Sequence, residues 1–225
     1  MTIARMPRGG PDASCLDRLL ETDRPARTGA RLGNQERFAY LALDEIAEVP
    51  DPRILELGAG HGELSTKLLE MHPTAHVTVT DVAPEAVAAI AAGELGSNDR
   101  ATVRTMDATD IDAPDGAFDL AVFALSFHHL SPVLAARVIA EGTRVASKLM
   151  IIDLPRPPAP LHLLQLAVML PLAPFVPFLH DGLISSLRTY SPSALRALAA
   201  HAHPGIELEL RGGLVSPQVA VASRP

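Results

Sequence analysis

Between Arg53 and Asp153 the chain alternates short apolar runs of strand length with segments of helical period, a pattern that few architectures accommodate. Arg53 to Leu57, His76 to Thr80, Ala101 to Met106, Phe118 to Ala124 and Lys148 to Asp153 read as strands. Glu63 to Met71, Pro84 to Ala92 and Pro132 to Val145 read as the helices between them. The first stops before Pro73, and the other two open with proline, whose fixed φ suits a first helical turn. Strands separated by helices pair in parallel through right-handed crossovers, so the expected fold class is α/β, with a doubly wound and mostly parallel sheet. Two further strand-like runs, Ile206 to Leu210 and Gln218 to Ala222, flank Gly212 and Gly213 and predict a C-terminal antiparallel hairpin. A helix is expected from Pro192 to Ala200. Sheets of this kind bind ligands at the carboxyl ends of their strands.

A length of 225 residues suits one core with helices on both faces of a sheet. Residues 1–33 are expected to form a partly ordered N-terminal tail and residues 34–225 a single domain. A helix from Asn34 to Val49 leads into it, because Phe38, Leu41, Ala42, Ile46 and Val49 recur at helical spacing before Pro50. Met1 to Cys15 has no apolar stretch of the secretory type, and Cys15 is the one cysteine, so no internal disulfide can form; a cytoplasmic protein is expected. A formal charge of −7 weighs against nonspecific nucleic-acid binding, which depends on Lys and Arg neutralising phosphates, and favours a small-molecule partner.

The segment Ile54-Leu55-Glu56-Leu57-Gly58-Ala59-Gly60-His61-Gly62 sets an acidic residue in an apolar strand and follows it with glycines in alternate positions. Glycine lets the backbone turn sharply and approach a ligand closely. A dinucleotide-binding turn would read Gly-x-Gly-x-x-Gly, but Glu63 stands at the place of the third glycine and would repel a phosphate. The segment resembles the first motif of the class I S-adenosylmethionine-dependent methyltransferases, and the resemblance extends from about Arg53 to Asp153. It implies a Rossmann-like fold, an enzyme, and S-adenosylmethionine as cofactor.

The resemblance implies that Glu56, Leu57, Gly58, Ala59, Gly60 and Gly62 contact the amino-acid portion of the cofactor, with Glu56 near its ammonium group. Asp81, about 20 residues beyond the glycine turn, is at the distance where a carboxylate accepts from ribose hydroxyls, although it could also cap the helix near Pro84. Val82 is placed beside the adenine, and Asp107 with Ala108 at its exocyclic amine, with Asp110 and Asp112 as competitors. Phe123 and Ala124 would line the same pocket or serve as core.

Ser126-Phe127-His128-His129-Leu130 leaves the fourth strand toward a helix and resembles the corresponding segment of small-molecule members. A hydroxyl or amine acceptor would gain from a general base, and histidine titrates near neutrality; His129 is the first candidate and His128 the second, against packing roles for both. Asp153 could face the acceptor or bond the backbone of the Pro-rich turn that follows. His180 and Tyr190 are further acceptor-site candidates. No motif with metal-ligand spacing occurs, so no catalytic metal is expected.

Leu161 to Leu179 is apolar and carries no formal charge, but Pro171, Pro174 and Pro177 interrupt it, and His162 and Gln165 lower its apolarity, so no stable membrane span is expected. A lid-like insertion at about 155–190 that shapes an apolar acceptor pocket, with Leu166 and Met169 on its wall, is preferred over a homodimer surface or a shallow membrane contact. The function expected is methyl transfer to a small, lipophilic acceptor, with oxygen favoured over carbon or nitrogen. A noncatalytic or membrane-associated binding protein on the same fold is the alternative.

Overall fold

The computed structural model describes residues 30–156, 158–169, 185–212 and 216–225. Helix α1 (Ala30–Asp44) leads into strand β1 (Arg53–Leu57), and the chain then alternates α2 (Glu63–Met71), β2 (His76–Asp81), α3 (Pro84–Ala91), β3 (Ala101–Thr105) and β4 (Phe118–Ala124). It continues through α4 (Pro132–Val145), β5 (Ala146–Asp153), α5 (Ala159–Met169), α6 (Pro192–Ala202), β6 (Glu207–Arg211) and β7 (Gln218–Ser223). The strands form one seven-stranded sheet in the order β3-β2-β1-β4-β5-β7-β6. β1 to β5 are mutually parallel, and β7 runs antiparallel to both β5 and β6. The expected α/β sheet and terminal hairpin are both present, with β7 inserted between β5 and β6.

Alternation along the strands divides the core in two. Ile54, Val77, Leu120, Val122, Met150 and Ile152 face one side, where Phe38 and Leu43 of α1 and Leu64 and Leu68 of α2 cover them. Leu55, Leu57, Ala121, Phe123, Leu149 and Ile151 face the other, beneath Val138 and Ile139 of α4 and Leu195 of α6. Because β1, β4 and β5 are covered on both faces, they read as continuous apolar runs. Gly142 allows α4 to lie close on β5, since a Cβ there would stand 2.8 Å from Leu149 Cδ1.

Local signals fix most boundaries. Ser131 and Ser191 cap α4 and α6 by accepting from the Leu134 and Ala194 amides, with Pro132 and Pro192 in the first turns. The entry helix departs from expectation. It begins at Ala30, inside the expected tail, and gives way after Asp44 to successive turns in which the Val49 amide donates to the Ile46 carbonyl at 2.9 Å. The remainder of the expected tail, residues 1–29, lies outside the described residues.

Candidate active site

β1 delivers its chain into a turn that no side-chain-bearing backbone adopts easily. Gly58, Gly60 and Gly62 have φ of 64°, 58° and 76°, in the left-handed region that glycine enters without steric cost. The Ala59 amide donates to the Thr80 carbonyl at 2.9 Å and so pins the turn to β2. The three glycines differ in role. A Cβ on Gly62 would lie 2.6 Å from Leu95 Cδ1, and one on Gly58 would meet Phe123 at 3.5 Å and Ser126 at 3.8 Å, whereas one on Gly60 meets nothing within 4 Å. Gly62 therefore seats α2 against the core, Gly58 sits beside the loop that leaves β4, and Gly60 leaves an open face toward the carboxyl ends of the strands.

Two carboxylates flank this turn. Asp81, at the end of β2, accepts from the Gly60 amide through Oδ2 and from the Ala83 amide through Oδ1, both at 2.9 Å. It thus does hold the backbone before α3, and the remaining lone pairs of both oxygens can still accept from a ligand. Glu56 is buried, and its one side-chain partner among the described residues is Ser65, whose hydroxyl donates to Oε2. Thr80 Oγ1 donates to the Glu56 carbonyl at 2.7 Å. Burial pushes the Glu56 carboxyl up to about 7; the Ser65 bonds oppose the rise and the nearby Asp81 charge adds to it. A buried acid of that kind suits a cationic group placed beside it.

The remaining cofactor-site candidates divide. Val82 is 66% exposed. Asp107 is exposed, and its Oδ1 accepts from the Thr109 amide and hydroxyl, each at 2.8 Å, which leaves Oδ2 available. Ala108 and Ala124 are half-buried against the two halves of the core. Leu57 is wholly buried in it, so its side chain supports the turn from below. Phe123 is also core, edge-on to Phe127 at 5.8 Å, yet its ring borders Gly58. Arg144 and Glu141 of α4 hold the segment that follows Asp107: Arg144 donates to the Ile111 and Ala113 carbonyls at 2.8 and 2.9 Å, and Glu141 accepts from the Ile111 amide at 3.1 Å.

Leaving β4, Leu125 takes a φ of 58° while its amide donates to the Ile152 carbonyl at 2.8 Å. A non-glycine residue in that region is strained, and the bend sends the chain into a 3-10 turn at Phe127–His129. His128 and Asp153 meet there, Nδ1 to Oδ1 at 2.6 Å, each side chain only 4% exposed. With Asp153 ionised, Nδ1 carries the hydrogen and His128 donates. The same Oδ1 accepts from the Leu154 amide at 2.8 Å, so Asp153 bonds the turn as well as the histidine. His129 is exposed, and its ring lies 4.2 Å from that of His128. Its pKa is held below the ordinary 6.5, first by desolvation and then by the neighbouring His128 and Arg188, with Asp153 opposing.

Tyr190 packs on Phe127 at 5.7 Å, and its hydroxyl donates to the Leu130 carbonyl at 2.8 Å, so its place is bracing the histidine loop. Leu166 is half-buried on α5, while His180 and the Met169 side chain lie outside the described residues. On α5, Leu161, Leu163, Leu164 and Val168 are exposed; His162 is buried and shares a 2.7 Å hydrogen bond with Ser186. Sequence reasoning missed Ser65 and Thr80, the partners of Glu56. Ser65 shows only as a polar residue on the inward face of α2. Among the described residues no three His, Cys, Asp or Glu side chains converge as metal ligands, and no helix is long and apolar enough to cross a membrane.

This strand order, with a glycine turn after β1 and acidic residues in β1 and at the end of β2, is a Rossmann-like α/β arrangement. Residues 54–148 match the family described as methyltransferase domain. The chain is 37% identical over 133 residues to malonyl-[acyl-carrier protein] O-methyltransferase of Geobacter sulfurreducens, a match covering 54% of this chain and 49% of that protein. It therefore spans about half the length of that relative. It is 29% identical over 192 residues to demethylmenaquinone methyltransferase of Thermus thermophilus, covering 79% of this chain and 86% of the other. Among solved structures, a SAM-dependent methyltransferase from Aquifex aeolicus superposes with a TM-score of 0.61 at 20% identity, covering 93% of this chain and 98% of that one. The chain is thus similar to methyltransferases over residues 54–148 and shares its fold with a SAM-dependent methyltransferase.

Proposed function

We propose that the chain transfers a methyl group from S-adenosylmethionine to a small, lipophilic acceptor by direct in-line displacement, with oxygen favoured over carbon or nitrogen as the acceptor atom. The observation that carries this reading is the adjacency of two loops. The glycine turn with Glu56 and Asp81 lies directly beside the His128–His129 loop, since Gly58 abuts Phe123 and Ser126. Both loops open at the carboxyl ends of β1 and β4, which pair in parallel.

Bound S-adenosylmethionine would supply the methyl group as an activated sulfonium. In this reading Glu56 accepts from its ammonium group, the backbone of Gly58 to Gly60 lies along its methionine portion, and Asp81 accepts from the ribose hydroxyls. Val82 and Asp107 then flank the adenine. Holding donor and acceptor in near-attack geometry accounts for the main acceleration, about 7 to 11 kcal/mol. His129, exposed and neutral at pH 7, takes the proton of the acceptor hydroxyl. The His128–Asp153 pair positions that loop. Residues 34–225 act as one domain in the cytoplasm, and the exposed leucines of α5 support an apolar acceptor surface. The name of the Geobacter relative, an O-methyltransferase, supports oxygen.

Mass spectrometry after incubation of the whole chain with labelled S-adenosylmethionine and fractionated extracts is the test. A labelled lipophilic product with an O-methyl group is expected. Tight cofactor binding with no labelled product from any fraction would favour the noncatalytic alternative.

A further inference from the structure

The carboxyl edge of the sheet carries a second concavity beyond β5. Arg156, Pro192, Arg196, Leu210, Arg211 and Gln218 line a cleft of about 330 Å3. Three of these are arginines and none is a carboxylate, in a chain whose formal charge is −7.

The arginines are held differently. Arg156 donates through Nη1 to the Ser186, Leu187 and Thr189 carbonyls at 2.7, 3.2 and 3.1 Å, which orients its guanidinium without neutralising it. Arg211 forks onto Glu209 at 2.7 and 2.9 Å and also reaches Glu45, so it forms a fixed, largely compensated wall. Arg196, one turn into α6, has no hydrogen-bond or ion-pair partner among the described residues. The positive end of the α6 dipole lies at Pro192 on the same wall. An uncompensated guanidinium beside an oriented one is the donor arrangement that phosphate and carboxylate accept from in parallel pairs. Gln218 links this cleft to the acceptor side, because it also lines the small pocket formed by Phe127, Asp153 and Tyr190.

We propose that this cleft is an oxyanion-binding site that holds a phosphate or carboxylate group borne by the methyl acceptor. The role assigned to the acceptor rests on the methyl-transfer reading; the affinity for the anion does not.

Calorimetric titration of the whole chain with inorganic phosphate, with acetate, and separately with S-adenosylmethionine tests it. Saturable binding of one anion is expected, weakened at least about tenfold by Arg196→Gln, as loss of a charge-assisted pair requires. It should be unchanged by Arg137→Gln, which removes an exposed arginine of α4 that does not line the cleft. Preference for phosphate over acetate, or the reverse, names the group carried by the acceptor. Absence of saturable binding by both anions, or equal effects of the two substitutions, overturns the proposal. Cofactor binding retained in that event leaves the proposed function standing. Anion binding that depends on Arg196 in a chain that does not bind the cofactor refutes the proposed function and the acceptor role with it, and leaves the anion site standing.

Discussion

Replacing Glu56 by glutamine should move stability and cofactor affinity in opposite directions. In the folded chain the Glu56 carboxyl titrates at about 7, against 4.5 when unburied. Below the lower value it is protonated in both states and contributes its full stability. As pH rises through the folded value the unfolded chain has already ionised, the folded chain must ionise in a buried site, and that stability is lost. At about 1.4 kcal/mol per pH unit, the interval amounts to about 3 kcal/mol. Glu56→Gln cannot ionise. Its stability relative to the wild type should therefore be near parity around pH 4.5 and rise to about 3 kcal/mol above it around pH 8. For a chain of this size that is roughly 6 to 12 °C in Tm. Chemical denaturation of the cofactor-free protein across that pH range measures it. A cationic ammonium beside Glu56 reverses the preference. Affinity for S-adenosylmethionine should rise with pH in the wild type, stay flat in the variant, and fall by roughly tenfold to a hundredfold on substitution at about pH 8. Parallel pH profiles for the two proteins would refute the burial argument, and undiminished cofactor affinity would refute the assignment of Glu56 to the ammonium.

Gly62→Ala should destabilise by about 1 to 3 kcal/mol, because its Cβ would stand 2.6 Å from Leu95 and its φ is 76°; thermal melting checks this. Gly60→Asp should instead leave the core intact and abolish most cofactor binding, since nothing lies within 4 Å of its Cβ position and the added charge would face the ligand; calorimetry reads the loss. His129→Gln should lower kcat by roughly 10² to 10⁴ with the cofactor Kd unchanged. Because the His129 pKa lies below its ordinary value, wild-type activity should already have levelled off near neutral pH, and the variant should lose that inflection. Leu166→Glu should raise KM for a lipophilic acceptor and spare cofactor binding; unchanged acceptor kinetics in a folded variant would remove α5 from the acceptor site.

The parts of this fold that a reader of the sequence can find are those written in short-range patterns. β1, β4, α2 and α4 fall on the expected residues because apolar runs, prolines and a glycine turn mark their ends locally. β5 begins at Ala146, two residues ahead of expectation, since α4 passes into it with no turn residue between. Which strands pair is not local information, and the insertion of β7 between β5 and β6 has no signature in either strand. The site divides the same way. Asp81 is legible because its distance from the glycine turn is fixed by one strand–helix–strand unit. The His128–Asp153 pair joins residues 25 apart, across two strands whose neighbourhood only the folded sheet decides. The inversion of exposure between His128 and His129 depends on the strained turn at Leu125, which nothing in the residue type announces.

The hairpin also determines where this molecule can safely touch a copy of itself. Placing β7 inside leaves β6 as the outer strand on that side, and β6 alternates the exposed Glu207, Glu209 and Arg211 with the half-buried Leu208 and Leu210. A strand adding to that edge would have to settle against a charged comb, and close packing there would strip water from the cluster of Arg211 with Glu209 and Glu45. Growth of the sheet from chain to chain is thus discouraged at the β6 edge. The face of α5 that carries Leu161, Leu163, Leu164 and Val168, by contrast, exposes apolar area that another molecule could bury.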